Sequence, residues 1–213
     1  MNETMNLLIG LAMGLNLMAL GSSRLPSVVR AMAVQGVVLG CLPVIIERNF
    51  DWLVSFVALV TVLVKGFAIP TLLQRAMRSA NIDREIEPFI GYVPSLLLGA
   101  VGTIASVAAA RMLPLLPEHA ETLIVPGAMA SIFTGFVLLV GRVKAISQVC
   151  GYLIMENGIY LFGLLLIHST PFLVESGILL DLTVGVFIIG IIVDRIQRAF
   201  DSLDTRKLTT LRE

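Results

Sequence analysis

Seven runs of about 20 mainly apolar residues fill this chain, and their length decides what it can fold into. A helix rises about 1.5 Å per residue, so about 20 residues match the roughly 30 Å hydrocarbon core of a bilayer. Backbone amides in lipid have no water to bond, so a spanning run must satisfy them internally as a helix. The runs fall at about 5–21, 29–46, 52–74, 92–112, 123–141, 147–168 and 174–195. Polar or turn-rich breaks separate them: Gly21 to Pro26, Glu47 to Asp51, Arg75 to Gly91, Pro114 to Glu121, Arg142 to Lys144, and His168 to Pro171. The pattern predicts an all-α polytopic membrane bundle of about seven transmembrane helices. With 57% hydrophobic and 14% charged residues, the sequence leaves no room for a separate soluble domain, so 1–213 reads as a single integral membrane domain. Ile82, Ile86, Phe89 and Ile90 in the third break suit a short interfacial helix, and equally a plain loop.

Lys and Arg concentrate in cytoplasmic loops, so their distribution orients the bundle. With the N-terminus outside, the inner side holds Arg24, Arg30, Arg75, Arg78, Arg84, Arg142, Lys144, Arg195, Arg198, Arg206, Lys207 and Arg212. The outer side holds only Arg48 and Arg111. This bias predicts N-terminus outside and C-terminus cytoplasmic, with an odd number of spans. Met1-Asn2-Glu3-Thr4 lacks the basic segment of a cleavable signal, so the first run is expected to stay as a helix.

Several classes of function find no support. A formal net charge of zero gives no reason to expect nucleic-acid binding. Cys41 and Cys150 lie in apolar segments without metal-ligand spacing, so no zinc or iron–sulfur site is expected in the chain. Gly-rich phosphate loops and nucleophile motifs are absent from the sequence, which argues against a stand-alone enzyme.

The informative residues are the polar ones inside the apolar runs. A charged group at mid-bilayer costs roughly 2.5–3.5 kcal/mol on insertion scales and needs a partner, a wet cavity or a proton. Glu156 lies roughly 13 Å from the inner end of the sixth run and Lys65 about as far from the inner end of the third. Gln35 falls near the same level, and Asp181 lies roughly 10 Å from the outer end of the seventh. Gln148, Tyr152, Glu156 and Tyr160 are spaced at i, i+4 and form one stripe, with Asn157 beside it. Such a stripe suits a water file from the cytoplasm, and equally simple helix packing. Burial favours the neutral acid and a neighbouring ammonium favours the anion, so a carboxyl shifted between those settings takes up and releases a proton. Glu156, Lys65 and Asp181 are therefore candidate relay members, with Gln35, Asn157, Tyr152 and Tyr160 as polar links. The alternative is a static ion pair that holds helices together.

Pro70 predicts a break beside Lys65, because its ring leaves the Gly66 carbonyl without its donor. Gly151, Gly158, Gly163, Gly185 and Gly190 are candidates for close helix approach. His119 is expected in solvent and His168 at the interface. A weak parallel repeat relates 5–74 to 123–195, since each part has a polar residue midway along its second helix and a charge in its third.

The stretch Gly151-Tyr-Leu-Ile-Met-Glu156-Asn-Gly158 and the tail Leu203-Asp-Thr-Arg-Lys-Leu-Thr-Thr-Leu211 resemble component E of hydrogenase-4 and formate hydrogenlyase-type membrane complexes. The Lys65 helix with Pro70 is similar as well, so the likeness covers essentially the whole chain. The last three runs resemble the K subunit of respiratory complex I and the C subunit of multisubunit cation/proton antiporters. Glu156 matches their membrane glutamate, whereas Asp181 and the adjacent Asn157 depart from the K subunit pattern. The resemblance implies a membrane-arm subunit in a bacterial or archaeal cytoplasmic (inner) membrane, contributing to proton translocation. It implies no cofactor in this chain. The [NiFe] site and iron–sulfur clusters would lie in peripheral hydrogenase or formate-oxidising partners, beside antiporter-like subunits and a complex I-like membrane anchor subunit. The competing expectations are an antiporter subunit and a scaffold without a transport role.

Overall fold

The computed structural model describes residues 2–46, 52–80, 84–85, 88–114 and 121–165. Helices account for nearly all of them: α1 (Asn2–Gly21), α2 (Leu25–Gly40), α3 (Leu42–Ile46), α4 (Trp52–Leu63), α5 (Ile69–Ala80), α6 (Tyr92–Ala110), α7 (Ile124–Gly141) and α8 (Ala145–Leu164). Five stretches are long and apolar enough to cross a membrane: Glu3–Gly21, Leu25–Ile46, Val54–Arg78, Tyr92–Ala110 and Ile124–Gly141. The chain is a multi-pass helical membrane protein. Helix α8 is as long as α1 and carries Gln148, Glu156 and Asn157 within an apolar run. The seventh run, and Asp181 with it, lies outside the described residues, as do His119 and His168.

Prolines set the internal breaks. Pro26 stands in the first turn of α2, where its missing N–H costs nothing. Pro43 cannot donate to the Leu39 carbonyl, and the helix is interrupted two residues earlier, at Cys41. Pro70 has the same effect on the third span. Between α4 and α5 the backbone widens into a π turn, Val64–Ala68, in which the Ile69 N–H reaches back to the Val64 carbonyl. Lys65 sits in that turn, so the sequence-predicted break takes the form of one extra residue per turn.

The core is two apolar clusters with a polar layer between them. One joins Leu20, Leu25, Val29, Met32, Leu138 and Ile154, and the other joins Ile9, Leu39, Leu42, Ile124, Ala128 and Leu161. On α1, α2, α7 and α8 alike, the residues between the clusters include a buried polar side chain: Asn16, Gln35, Ser131, and Glu156 with Asn157. Helices α7 and α8 form the most extensive pair. A Cβ on Gly158 would fall 2.7 Å from the Ala128 carbonyl oxygen and 2.8 Å from the Ile132 amide nitrogen, so only glycine permits this approach. Gly163, expected in the same role, has no described atom within 4 Å of such a Cβ.

Three connections meet at one end of the bundle. Glu85 is 4% exposed and accepts hydrogen bonds from the Val143 amide at 2.6 Å, the Lys144 amide at 2.9 Å and Ser147 Oγ at 2.6 Å. Its own amide donates to the Ser23 carbonyl. The Glu85 carboxylate thus caps the N-terminus of α8, where free amides and the helix dipole favour an anion. Arg142 is buried, donating to the Leu20 carbonyl at 2.5 Å and the Ile90 carbonyl at 3.1 Å, over the ring of Tyr92 at 4.5 Å. Burial lowers the Arg142 pKa from its ordinary value, and Glu85 and Tyr92 oppose that shift. Of the two readings of the third break, the described residues 84, 85 and 88–91 fit the plain loop, while Ile82 and Ile86 lie outside the described residues. Arg142 counts as a loop charge in the sequence, yet it is a buried tie between loops.

Candidate functional site in the polar layer

Lys65 enters the polar layer from the π turn, and Glu156, Asn157 and Tyr160 enter it from α8. Lys65 Nζ lies 3.3 Å from Glu156 Oε1, with the two side chains 11% and 10% exposed. It also donates to Asn157 Oδ1 at 3.1 Å and stands 5.6 Å from the centre of the Tyr160 ring. The close approach rests on Gly36, where a Cβ would meet Lys65 Cβ at 2.9 Å.

From Asn157 the contacts run sideways through the bundle. Asn157 Nδ2 donates to Gln35 Oε1 at 3.2 Å. Gln35 Nε2 donates to Asn16 Oδ1 at 2.8 Å and to Ser131 Oγ at 3.3 Å. Asn16 Nδ2 donates to the same Ser131 Oγ at 2.9 Å. Glu156, Lys65, Asn157, Gln35, Asn16 and Ser131 are therefore one connected set. Glu156 Oε2 and the Tyr160 hydroxyl are buried and make no hydrogen bond among the described residues. A small cavity of about 10 Å³ is lined by Met32, Lys65, Ile69, Leu153 and Asn157. Met32, Ile69 and Leu153 each lie about one turn from this layer toward the end where Glu85 sits.

Four of the predicted site residues, Glu156, Lys65, Gln35 and Asn157, come together in one layer, a contact that the sequence leaves open, and the Tyr160 ring joins them. The stripe on α8 does not run as one unit. Gln148 is spent on the Arg142 carbonyl at 3.0 Å, and Tyr152 packs against the apolar cluster next to it. Asn16 and Ser131 were missed. Asn16 carried the same signal as Gln35, an amide inside an apolar run, whereas a serine in a membrane helix is too common to stand out. Among the described residues no group of His, Cys, Asp and Glu is placed to hold a metal ion.

In chemical terms the site is an acid and a base in contact, one carboxylate oxygen engaged and the other open. A pair of this kind in a low-dielectric layer can exchange a proton, and each partner's charge controls the other's.

Fold and site define a multi-pass membrane protein built around a buried, hydrogen-bonded carboxylate–ammonium pair. The chain belongs to the family of Uncharacterized protein Rv0085 of Mycobacterium tuberculosis, to which it is 31% identical over 191 residues, 89% of this chain and 87% of that protein. It is also similar to Hydrogenase-4 component E of Escherichia coli and of Shigella flexneri, 33% identical over 85 residues in each case. That match spans 40% of this chain and 39% of those relatives' length. No family model matches the chain, and no solved structure matches it.

Proposed function

We propose that this chain is a membrane-arm subunit of a hydrogenase-like complex and that its Glu156–Lys65 pair passes protons. The partial likeness to hydrogenase-4 component E supports the first half of the reading. One observation carries the second: Lys65 Nζ is 3.3 Å from Glu156 Oε1 while Glu156 Oε2 makes no hydrogen bond among the described residues. A purely structural ion pair would be expected to have both carboxylate oxygens satisfied, because a buried lone oxygen costs roughly 1–3 kcal/mol or more. The open oxygen is where a proton would arrive or leave. The small cavity beside Lys65 and Asn157 lies on the side of the layer toward Glu85, the cytoplasmic end by the Lys and Arg distribution, and a path from that side would open there.

The chain supplies no redox group in this reading. Electron transfer would occur at a [NiFe] site and iron–sulfur clusters in peripheral partners, with antiporter-like subunits alongside in the cytoplasmic membrane. Asp181, Tyr160 and Tyr152 are secondary members, Asp181 as a further proton site. The test is proton uptake by the purified complex in vesicles, comparing wild type with Glu156→Gln, which keeps the shape and removes the proton site. Uptake falling to the background leak, with the complex intact, is the expected result. Full uptake in the variant would reject the role.

A further inference from the structure

The hydrogen bonds leading away from Lys65 have a direction, and the chemistry of Lys65 fixes it. An ammonium has donors only, so Asn157 must turn its oxygen toward Nζ and its NH₂ away. That NH₂ needs an acceptor, so Gln35 must present Oε1 to it and Nε2 to the far side. Gln35 Nε2 finds Asn16 Oδ1 and Ser131 Oγ, and Asn16 Nδ2 ends on Ser131 Oγ. Three amides on three helices thus point their oxygens toward Lys65. All are buried, so water does not compete for the arrangement. Aligned dipoles in a low-dielectric layer polarise one another, and each bond strengthens the next.

We propose that Asn16, acting through Gln35 and Asn157, is a positioning residue for the Glu156–Lys65 pair: it anchors an amide chain whose polarity holds Lys65 as the ammonium. A neutral Lys65 amine could accept as well as donate, and the chain would then be free to reverse. The protonation of Lys65 and the orientation of three amides are accordingly one coupled variable. Ser131 is the end stop, accepting from both Asn16 and Gln35. Among the described residues, the titratable groups facing Lys65 are Glu156 and Tyr160 on α8, and α2 offers it no titratable group. The inference rests on the pair being proton-active and extends that reading to α1 and α7.

The test reads Glu156 directly. In the intact complex reconstituted in lipid, infrared spectra recorded across pH show the protonated carboxyl band that Glu156→Gln abolishes. Asn16→Leu removes the chain's anchor, weakens the hold on the ammonium and so weakens its support of the Glu156 anion. The band is expected to appear about 0.3 pH unit higher than in wild type, the share that a polarising neighbour adds to a hydrogen bond on a charged group. In a Gln35→Leu background, Asn16→Leu should add no further shift, since its effect passes through Gln35. An unmoved band in Asn16→Leu, or an equal further shift in the Gln35→Leu background, overturns the proposal. Should Asn16→Leu not assemble, Ser131→Ala carries the test: a smaller shift in the same direction supports the proposal and an unmoved band overturns it. Full proton uptake by Glu156→Gln would reject the transport role and leave the amide chain to stand or fall on the band.

Discussion

Lys65 and Glu156, 91 positions apart in sequence, meet at 3.3 Å in a layer that has apolar clusters on both sides. Both side chains are about nine-tenths buried, so each charge leans on the other across this contact. Removing one partner of such a pair leaves the other uncompensated, at about 3–5 kcal/mol, whereas replacing both by neutral groups of similar shape is often near neutral. Lys65→Met alone should therefore lower the complex's thermal stability markedly. Lys65→Met combined with Glu156→Gln should recover most of the loss while leaving proton uptake at background. Equal instability in the single and double variants would show that the two side chains are not energetically paired.

The sequence reveals the level of this layer but not its membership. Arithmetic at 1.5 Å per residue puts Glu156, Lys65 and Gln35 near one height, and they share one connected set. Neighbourhood is a different matter. Helical period says which residues share a face of one helix and nothing of which helices face each other, so Asn16 and Ser131 could not be joined to Gln35 in advance. The same period puts Gln148 and Tyr152 in line with Glu156, yet a local contact at the start of α8 turns the first back to the Arg142 carbonyl. Pro70 is legible as a break, because its missing donor is a local fact. That the break becomes a π turn presenting Lys65 to α8 depends on packing against α2 at Gly36.

Glu85 gives a prediction independent of the proton site. One buried carboxylate accepts two backbone amides and a serine hydroxyl at the start of α8, and its removal leaves all three donors unpaired, two of them part-buried and the Ser147 hydroxyl buried. Glu85→Ala should cost about 3 kcal/mol, seen as a lower melting temperature of the purified complex and faster protease cleavage in the 75–91 connection. Glu85→Gln keeps one acceptor oxygen and should lose about half as much. Indistinguishable melting of Glu85→Ala and wild type would mean the cap contributes nothing.

Arg142 tests whether charge or shape matters at the same end. Its planar fork reaches two carbonyls on different segments and stacks on Tyr92, which a lysine's single ammonium cannot reproduce. Arg142→Lys preserves the positive charge in the loop, so orientation in the membrane should be unchanged. Stability should fall by about 1–2 kcal/mol, measured as the melting temperature. A lysine variant as stable as wild type, with an alanine variant that is not, would assign the residue to charge alone.

Gly158 and Gly163 lie on the same helix and should respond oppositely to one methyl group. At Gly158 the new Cβ meets the backbone of α7 at Ala128 and Ile132, which cannot rotate aside, so α7 and α8 must separate. That movement would also displace Asn157 next to it and lengthen the 3.1 Å contact with Lys65. Gly158→Ala should therefore reduce both stability, by about 1–3 kcal/mol, and proton uptake. Gly163→Ala meets no described atom and reduces the backbone freedom of the unfolded chain, so it should leave stability unchanged or raise it by up to about 1 kcal/mol. Melting curves of the two variants, recorded in the same detergent, decide the matter. Destabilisation by Gly163→Ala equal to that by Gly158→Ala would mean that the close approach of α7 and α8 is not what makes Gly158 necessary.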